Sequence, residues 1–185
     1  MCQFLVAAQA TATEHASLDV QQLMADLATV KSAVVTFTET KTLAVLKEPL
    51  TLTGQLSYKA PNYLQKKVLS PTPSTYTVTG SQVDVTEYNQ PPKSFSLDDS
   101  SLLEALIVSM RATLAGDLAR LKLYYDVSLS GSMANWRLEL IPSDHDVEVY
   151  IRQILIRGSH THLQSIETIE SNDNRTVMLI DQGAP

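Results

Sequence analysis

The sequence predicts an α+β fold: an incomplete antiparallel β-barrel of about nine to eleven strands, with an N-terminal helix and central helices forming a lid over a hydrophobic cavity. Three observations support this prediction. Apolar residues alternate with polar ones along most of the chain, turn residues separate these stretches at short intervals, and helical spacing interrupts the alternation only twice. A chain of 185 residues suits one domain with one core, which we assign to residues 13–185.

The N-terminal helix is predicted from a stretch of apolar residues at helical spacing. Ser17 is a candidate N-cap for it. The apolar residues that share one helix face are Val20, Leu23, Met24, Leu27, Val30 and Val34. From about Val34 the period changes to two, so the first strand is expected to begin there.

The clearest strand signal lies within residues 50–59, where apolar residues or glycine alternate with polar residues. One face of this strand is therefore expected to be buried and the other solvated. Pro61 interrupts the ladder, and turn signals at Gly80, Gly131 and 172–174 separate further alternating stretches. Together these stretches predict a series of hairpins.

The central helix is predicted between a cap at 98–100 and the helix breaker Gly116, and a second short helical piece follows at 117–123. A barrel of this strand number encloses more volume than its own side chains fill, so helices over one mouth would create a lined cavity. The apolar residues of the central helix that we assign to this lid are Leu106, Ile107, Met110 and Leu114.

The composition limits the classes of function that we expect for this protein. The net charge is −6 and the pI is about 5.1, which argues against nucleic-acid binding because phosphate neutralisation needs a surplus of Lys and Arg. The hydrophobic fraction of 44% and the charged fraction of 18% are those of an ordinary globular protein. Because no segment approaches the roughly 20 apolar residues of a transmembrane helix, we expect a soluble mature protein.

Residues 1–12 are interpreted as the remnant of a truncated signal peptide. A short apolar run, 4–8, is closed by the small-residue pattern Ala8-Gln9-Ala10, although a basic region is missing before it. A disordered apolar tail and a lipid-modified Cys2 are the open alternatives. The signal-peptide interpretation predicts a periplasmic protein.

Two stretches carry a family resemblance. Residues 37–41, with Phe37, Glu39 and Lys41, are similar to a family stretch of phenylalanine, x, glutamine or glutamate, x, basic. Residues 54–61 are similar to its motif of glycine, x, leucine, x, apolar, basic, arginine, proline. The spacing from Pro61 to Pro71, Gly116 with Asp117, and the group Trp136, Leu138, Leu140 and Pro142 continue the likeness. In this order the chain resembles the LolA family of outer-membrane lipoprotein carriers over roughly residues 17–181.

The resemblance implies a periplasmic carrier. Such a protein accepts the acyl chains of a lipoprotein, or a related hydrophobic envelope product, from an inner-membrane exporter and delivers them to an outer-membrane acceptor. It implies no enzyme activity, no cofactor and a monomer. Two alternatives stay open: a protein-binding or lipid-sensing envelope module that uses the same half-barrel, and a receptor-like acceptor anchored through Cys2.

One departure from the family concerns the lid. The family arginine that points inward and hydrogen-bonds the lid closed is replaced here by Ala60, directly before Pro61. We hypothesise that Lys66, which falls between the inward Leu64 and Val68, partly substitutes for it. Ala60, Pro61 and Lys66 are therefore the gating candidates.

The strand residues on the apolar face of each alternating stretch are the candidates for the cavity lining, although such residues also fill ordinary cores. They are Phe37, Leu52, Leu56, Tyr58, Leu64, Val68, Trp136, Leu138 and Leu140. Glu39 and Lys41 share the parity of Phe37, and we favour a solvated strand end over a buried polar pair for them.

The histidines do not predict chemistry. His160 and His162 would place two imidazoles on one strand face, and 144–146 adds two aspartates and a histidine, but surface turns explain both groups better than a metal site. No Gly-x-Ser-x-Gly elbow accompanies them. We therefore predict neither an enzyme nor a bound metal.

Overall fold

The computed structural model describes residues 18–181, which form an open antiparallel sheet of eleven strands with helices packed against it. The predicted fold class is confirmed. The predicted leader remnant, residues 1–12, and the candidate cap Ser17 lie outside the described residues. The strands are β1 Ser32–Thr42, β2 Leu50–Lys59, β3 Tyr63–Ser70, β4 Ser74–Thr79, β5 Gln82–Glu87, β6 Lys93–Ser96, β7 Tyr125–Ser132, β8 Asn135–Pro142, β9 Ile151–Ser159, β10 His162–Glu170 and β11 Arg175–Asp181. Across the sheet they follow the order β6-β5-β4-β3-β2-β1-β11-β10-β9-β8-β7.

The described helices are few and mostly short. They are α1 Val20–Leu27, α2 Ser101–Ala115, α3 Leu118–Leu121 and α4 His145–Glu148, with a 3₁₀ turn at Leu97–Asp99 before α2. The sequence did not predict β6 or α4. A strand of four residues and a helix of one turn are too short to show a period, so only their tertiary contacts reveal them.

Helix α1 is shorter than the helix that the apolar spacing in the sequence predicts. Asp19 caps it by accepting a hydrogen bond from the backbone N–H of Gln21 at 3.0 Å. The helix ends at Leu27, so Val30 and Val34 were wrongly assigned to it. Val34 belongs to β1, where it pairs with Ser57 of β2. The ladder between β1 and β2 begins at Ser32, and its backbone hydrogen bonds outweigh the local helical spacing.

Helix α2 begins and ends where the sequence predicted. The Ser100 side chain accepts a hydrogen bond from the Leu103 N–H at 3.3 Å, and Gly116, with φ of 67°, provides the left-handed C-cap. The helix is apolar on nearly all sides, a pattern typical of a buried helix. Its Met110 and Leu114 pack against two separate core clusters of the sheet. The helix therefore lies between two halves of the incomplete barrel.

The predicted pair of imidazoles on one strand face was wrong. His160 lies in the turn between β9 and β10 with φ of 52°, whereas His162 opens β10. The carbonyl of His160 accepts a hydrogen bond of 2.9 Å from the indole N–H of the fully buried Trp136. Residues 144–146, expected to form a turn, instead cap and begin α4, because the Asp144 side chain accepts from the Asp146 N–H at 2.9 Å.

Gly54 allows the sheet to carry an aromatic ring at its centre. It pairs with Phe37 across β1 and β2. A Cβ at Gly54 would lie 2.0 Å from the backbone oxygen of Lys67 on β3 and 2.9 Å from the Phe37 ring. Since neither the backbone nor the buried ring can move freely, only glycine fits at this position.

We expect Gly54→Ala to lower the free energy of unfolding by about 3 kcal/mol, because overpacking must displace β3 or the Phe37 ring. Urea unfolding monitored by circular dichroism measures the change. Gln55→Ala, an exposed position on the other face of β2, is the matched control and should stay within about 0.5 kcal/mol of the parent protein. Equal unfolding midpoints for both variants would contradict this packing argument.

Candidate ligand-binding cavity

A cavity of about 300 Å³ lies beside α2, where β1, β2 and β10 begin or end. Its wall is mostly apolar, with a few polar residues. The lining residues are Val30, Ser32, Ala33, Val34, Val35, Leu56, Tyr58, Leu64, Met110, Leu114, Thr161, His162, Leu163, Ile166 and Ile180. An apolar hollow with a small number of polar groups is the usual form of a small-molecule site.

The structure brings five of the predicted site residues to this wall. Leu56, Tyr58 and Leu64 reach it from β2 and β3, and Met110 and Leu114 reach it from α2. The strand residues lie on the inward parity of two adjacent strands, where Tyr58 pairs directly with Leu64. The helix residues lie one turn apart and so point to the same side.

The other predicted lining residues do not reach this cavity. Leu52, Leu106 and Ile107 are half-buried and pack against the core clusters. Phe37, Val68, Trp136, Leu138 and Leu140 are buried within the larger cluster. Contact of these residues with a ligand stays a prediction.

Sequence reasoning missed the part of the wall that comes from distant strands. Ile180 of β11 and Ile166 of β10 join the cavity because β11 pairs with β1, placing Ile180 opposite Phe37. The pairing joins the last described strand to the first and has no local signal in the sequence. Thr161 and His162 belong to a histidine-containing stretch that is visible in the sequence. We interpreted that stretch as a surface turn or a metal site and not as part of a cavity wall.

Tyr58 is the polar group that the protein leaves unsatisfied in this wall. The residue is 3% exposed, and its hydroxyl has no hydrogen-bond partner among residues 18–181. Burial raises the pKa of Tyr58 above its ordinary value, and the positive charge of Arg111 opposes that rise. The hydroxyl therefore keeps its proton.

Glu39 corrects the expectation of a solvated strand end. It is 2% exposed, and its carboxylate contacts the ammonium group of Lys66, while the Nζ of Lys41 lies 3.4 Å from its other oxygen. Lys66 also lies 5.2 Å from the centre of the Phe37 ring. Burial lowers the pKa of Lys66, and the charge and hydrogen bond of Glu39 oppose this. The pair ties β3 to β1 across β2.

A side chain of the lid helix α2 hydrogen-bonds the second half of that helix to the barrel. Arg111 of α2 donates to the backbone carbonyl of Gly80, in the turn between β4 and β5. Ala60 and Pro61 follow β2, and Pro61 and Arg111 line a second hollow of about 220 Å³. The charge of Lys66 is held by Glu39, so gating by Lys66, Ala60 and Pro61 stays a prediction.

Three further hydrogen bonds hold α2 at its other end. The hydroxyl of the buried Tyr125 donates to the Ala105 carbonyl at 2.7 Å. Glu104 accepts from Arg120 of α3 at 2.8 Å and from the Tyr124 hydroxyl. These contacts fix the first half of α2 to the β7 side, whereas Arg111 fixes its second half to the β4–β5 turn.

Two negative findings apply to residues 18–181. None of the helices there is long and apolar enough to cross a membrane. Within the same range, no three His, Cys, Asp or Glu side chains are grouped so as to hold a metal ion.

Comparison with known proteins identifies the family. The family model described as outer membrane lipoprotein carrier protein LolA-like matches residues 11–184. The chain therefore belongs to this LolA-like family. No curated protein matches the sequence significantly.

Solved structures are similar at low identity. A LolA superfamily protein from Nitrosomonas europaea gives a TM-score of 0.44 at 11% identity and covers 91% of this chain and 96% of its own. A DUF1329 family protein from Desulfovibrio piger gives 0.47 at 11% identity, with 88% of each chain covered. The MucA/MucB complex of Pseudomonas aeruginosa also gives 0.47 at 11% identity, over 91% of this chain and 59% of the other.

Lys66→Met is expected to lower the free energy of unfolding by about 3 kcal/mol, because it leaves the buried Glu39 carboxylate without its main partner. The double change Lys66→Met with Glu39→Leu should recover most of that loss, since it removes both charges. Urea unfolding checks both variants. Lys67→Met, on the exposed face of the same strand, is the control, and a Lys66→Met protein as stable as this control would refute the pairing.

Arg111→Met should loosen the second half of α2 while leaving the fold intact, because it removes the hydrogen bond to Gly80. We expect amide hydrogen exchange there to become about five- to tenfold faster, the equivalent of one lost hydrogen bond. Arg120→Met, which removes the contacts of Arg120 with Glu104 and the Tyr124 ring near the first half of α2, serves as the control for exchange in the second half. Unchanged exchange in α2 of the Arg111 variant would show that this bond does not hold the lid.

Proposed function

We propose that this protein binds the acyl chain of a lipoprotein, or a related hydrophobic envelope product, in the cavity beside α2 and carries it through the periplasm from the inner to the outer membrane. The observation that carries the proposal is the apolar cavity, whose wall is completed by Met110 and Leu114 of the lid helix. An inner-membrane exporter and an outer-membrane acceptor are the partners that this role requires.

The energetics suit reversible transport. Burial of an aliphatic chain in such a cavity gains about 0.8 kcal/mol per methylene, so the apolar wall alone supplies useful affinity. Carriage needs no covalent step. The wall contains both sheet residues and helix residues, so a shift of α2 would change the cavity without disturbing the strand ladders.

The lid is held in a way that permits release. Along its second half, α2 contacts the β4–β5 turn through the Arg111 hydrogen bond, and the remaining contacts there are apolar side chains. A single hydrogen bond contributes about 1 kcal/mol net. Opening this half of α2 also exposes buried apolar residues such as Val108 and Ala112, so a partner that releases the cargo must bind the open form better by more than the value of this one bond.

The direct test is native mass spectrometry of protein purified from periplasm without detergent, followed by extraction and identification of any bound molecule. A defined acylated molecule released on denaturation supports the carrier role and names the cargo. A mass equal to the bare chain, together with no binding of added lipoprotein or acyl probes, would overturn it. In that case a protein partner that co-purifies in stable stoichiometry would point to the protein-binding alternative.

Blocking the cavity should abolish binding. Ala33 lies in the wall, opposite Tyr58 in the ladder, so Ala33→Phe fills the space with a ring. We expect its affinity for the apolar dye phenylnaphthylamine, measured by fluorescence titration, to fall by about tenfold or more, roughly the loss of 1.4 kcal/mol of apolar contact. Ala25→Phe, on the exposed side of α1, adds the same ring away from the cavity and is the control. Equal dye binding by both variants would place the binding site elsewhere.

A further inference from the structure

We propose that the hollow between the second half of α2, α3 and the β2–β3 turn binds an oxyanion of the phosphate class, which the guanidinium groups of Arg111 and Arg120 hold. This hollow of about 220 Å³ shares no wall residue with the cavity beside α2, so the inference goes beyond the proposed function. It is carried by an arginine without a carboxylate partner, a second arginine in the same wall and the space beside them.

Arg111 differs from the other arginines of the described chain. Every other arginine within residues 18–181 has a carboxylate oxygen 2.7–3.5 Å from its guanidinium group. Arg111 has no carboxylate of that range within the ion-pair distance of 4.0 Å, although the residue is half-buried. Withdrawing a charge from water without a counterion costs free energy, so an anion in the hollow would stabilise this side chain.

The contacts of Arg111 place its charged end beside the hollow. The side chain crosses from α2 to the carbonyl of Gly80, and the N–H of Gly80 donates to the carbonyl of Asn62 at 3.1 Å. Asn62 and Arg111 both line the hollow. The bond to Gly80 uses one of the five N–H groups of a guanidinium, so the group can bond a ligand as well.

The lid helix leaves room for this ligand. Arg111 shares one face of α2 with Val108, Ala112 and Ala115, and all four line the hollow. The two alanine side chains end at Cβ, so space remains beside the longer arginine side chain. An oxyanion there would displace only a few water molecules, of roughly 30 Å³ each.

Arg120 brings a second guanidinium group to the wall from α3. Burial lowers the pKa of Arg111, the charge of Arg120 lowers it further, and the charge of Glu104 opposes both effects. The two arginines are therefore close enough to repel each other, and an anion beside both would relieve that repulsion. The N–H groups of a guanidinium also match the spacing of phosphate oxygens.

The carboxylates near the hollow already have partners. Glu104 accepts from Arg120 at 2.8 Å and from the Tyr124 hydroxyl. Asp117 is an exposed wall residue whose side chain accepts the backbone N–H of Arg120 at 2.9 Å and caps α3. Arg111 is thus the cation that an external anion would neutralise.

An NMR titration with inorganic phosphate, at an ionic strength held constant with sodium chloride, tests the site. Signals of Asn62, Arg111 and Arg120 should move together and saturate. Arg111→Met should weaken phosphate binding about tenfold, the equivalent of one hydrogen bond to a charged group. Arg137→Met removes the same charge from the exposed face of β8 and, as the matched control, should change the affinity by less than about twofold.

Equal phosphate affinity in the two variants would overturn the inference. The titration of the parent protein decides independently of how well Arg111→Met folds. Shifts at Arg111 and Arg120 that never saturate, or saturating shifts confined to residues outside this wall, would also overturn it.

Decyl phosphate distinguishes a lipid headgroup from a free phosphate ion as the source of the oxyanion. A headgroup whose chain lies in the cavity beside α2 should make decyl phosphate bind about tenfold or more tightly than inorganic phosphate, and Ala33→Phe should remove that gain. For a site that takes free phosphate, the two affinities should agree within about twofold in both proteins.

Both of these results support the anion site, because Arg111→Met should weaken both ligands in either case. Binding of decyl phosphate that Arg111→Met leaves unchanged would overturn it. Failure of the parent protein to bind the apolar dye would remove the proposed carrier function and leave the phosphate site standing.

Discussion

Helix α2 is apolar on nearly all sides, and that property constrains the rest of the structure. A helix of this kind needs apolar partners on more than one side, and the apolar side chains of α2 are all buried or half-buried here. Its Ala105, Val108 and Ala112 enter one core cluster, while Leu103 and Ile107 pack against the other. One sheet therefore has to supply both clusters, which a curled, incomplete barrel does. The cavity lies where the two clusters meet, beside Met110 and Leu114.

The polar groups inside the barrel fall into two kinds. Glu39 and Lys66 neutralise each other and join strands β1 and β3. The Tyr58 hydroxyl has no hydrogen-bond partner among residues 18–181. A buried charge must be paired for the protein to fold, whereas a single unsatisfied hydroxyl is tolerated.

Most of the fold could be predicted, because its signals are local. The alternation within β2, the Ser100 cap and the Gly116 stop depend on neighbouring residues alone. The candidate site was predicted in part: Leu56, Tyr58, Leu64, Met110 and Leu114 line the cavity, whereas Trp136 is fully buried in the core. The alternation of apolar and polar residues shows which face of a strand is covered. Residues that fill a core and residues that line a cavity lie on that same face, so the alternation does not separate them.

Periodicity, caps and turn residues were enough to predict the longer strands, their order, their inward faces and the bounds of α2, whereas β6 and α4 were too short to predict. The pairing of Glu39 with Lys66, the hydrogen bond from Arg111 of α2 to Gly80 and the place of Ile180 in the cavity wall are visible in the folded structure alone. These contacts join residues far apart in the chain. Their partners are set by how the sheet curls around α2, and no local pattern encodes that geometry.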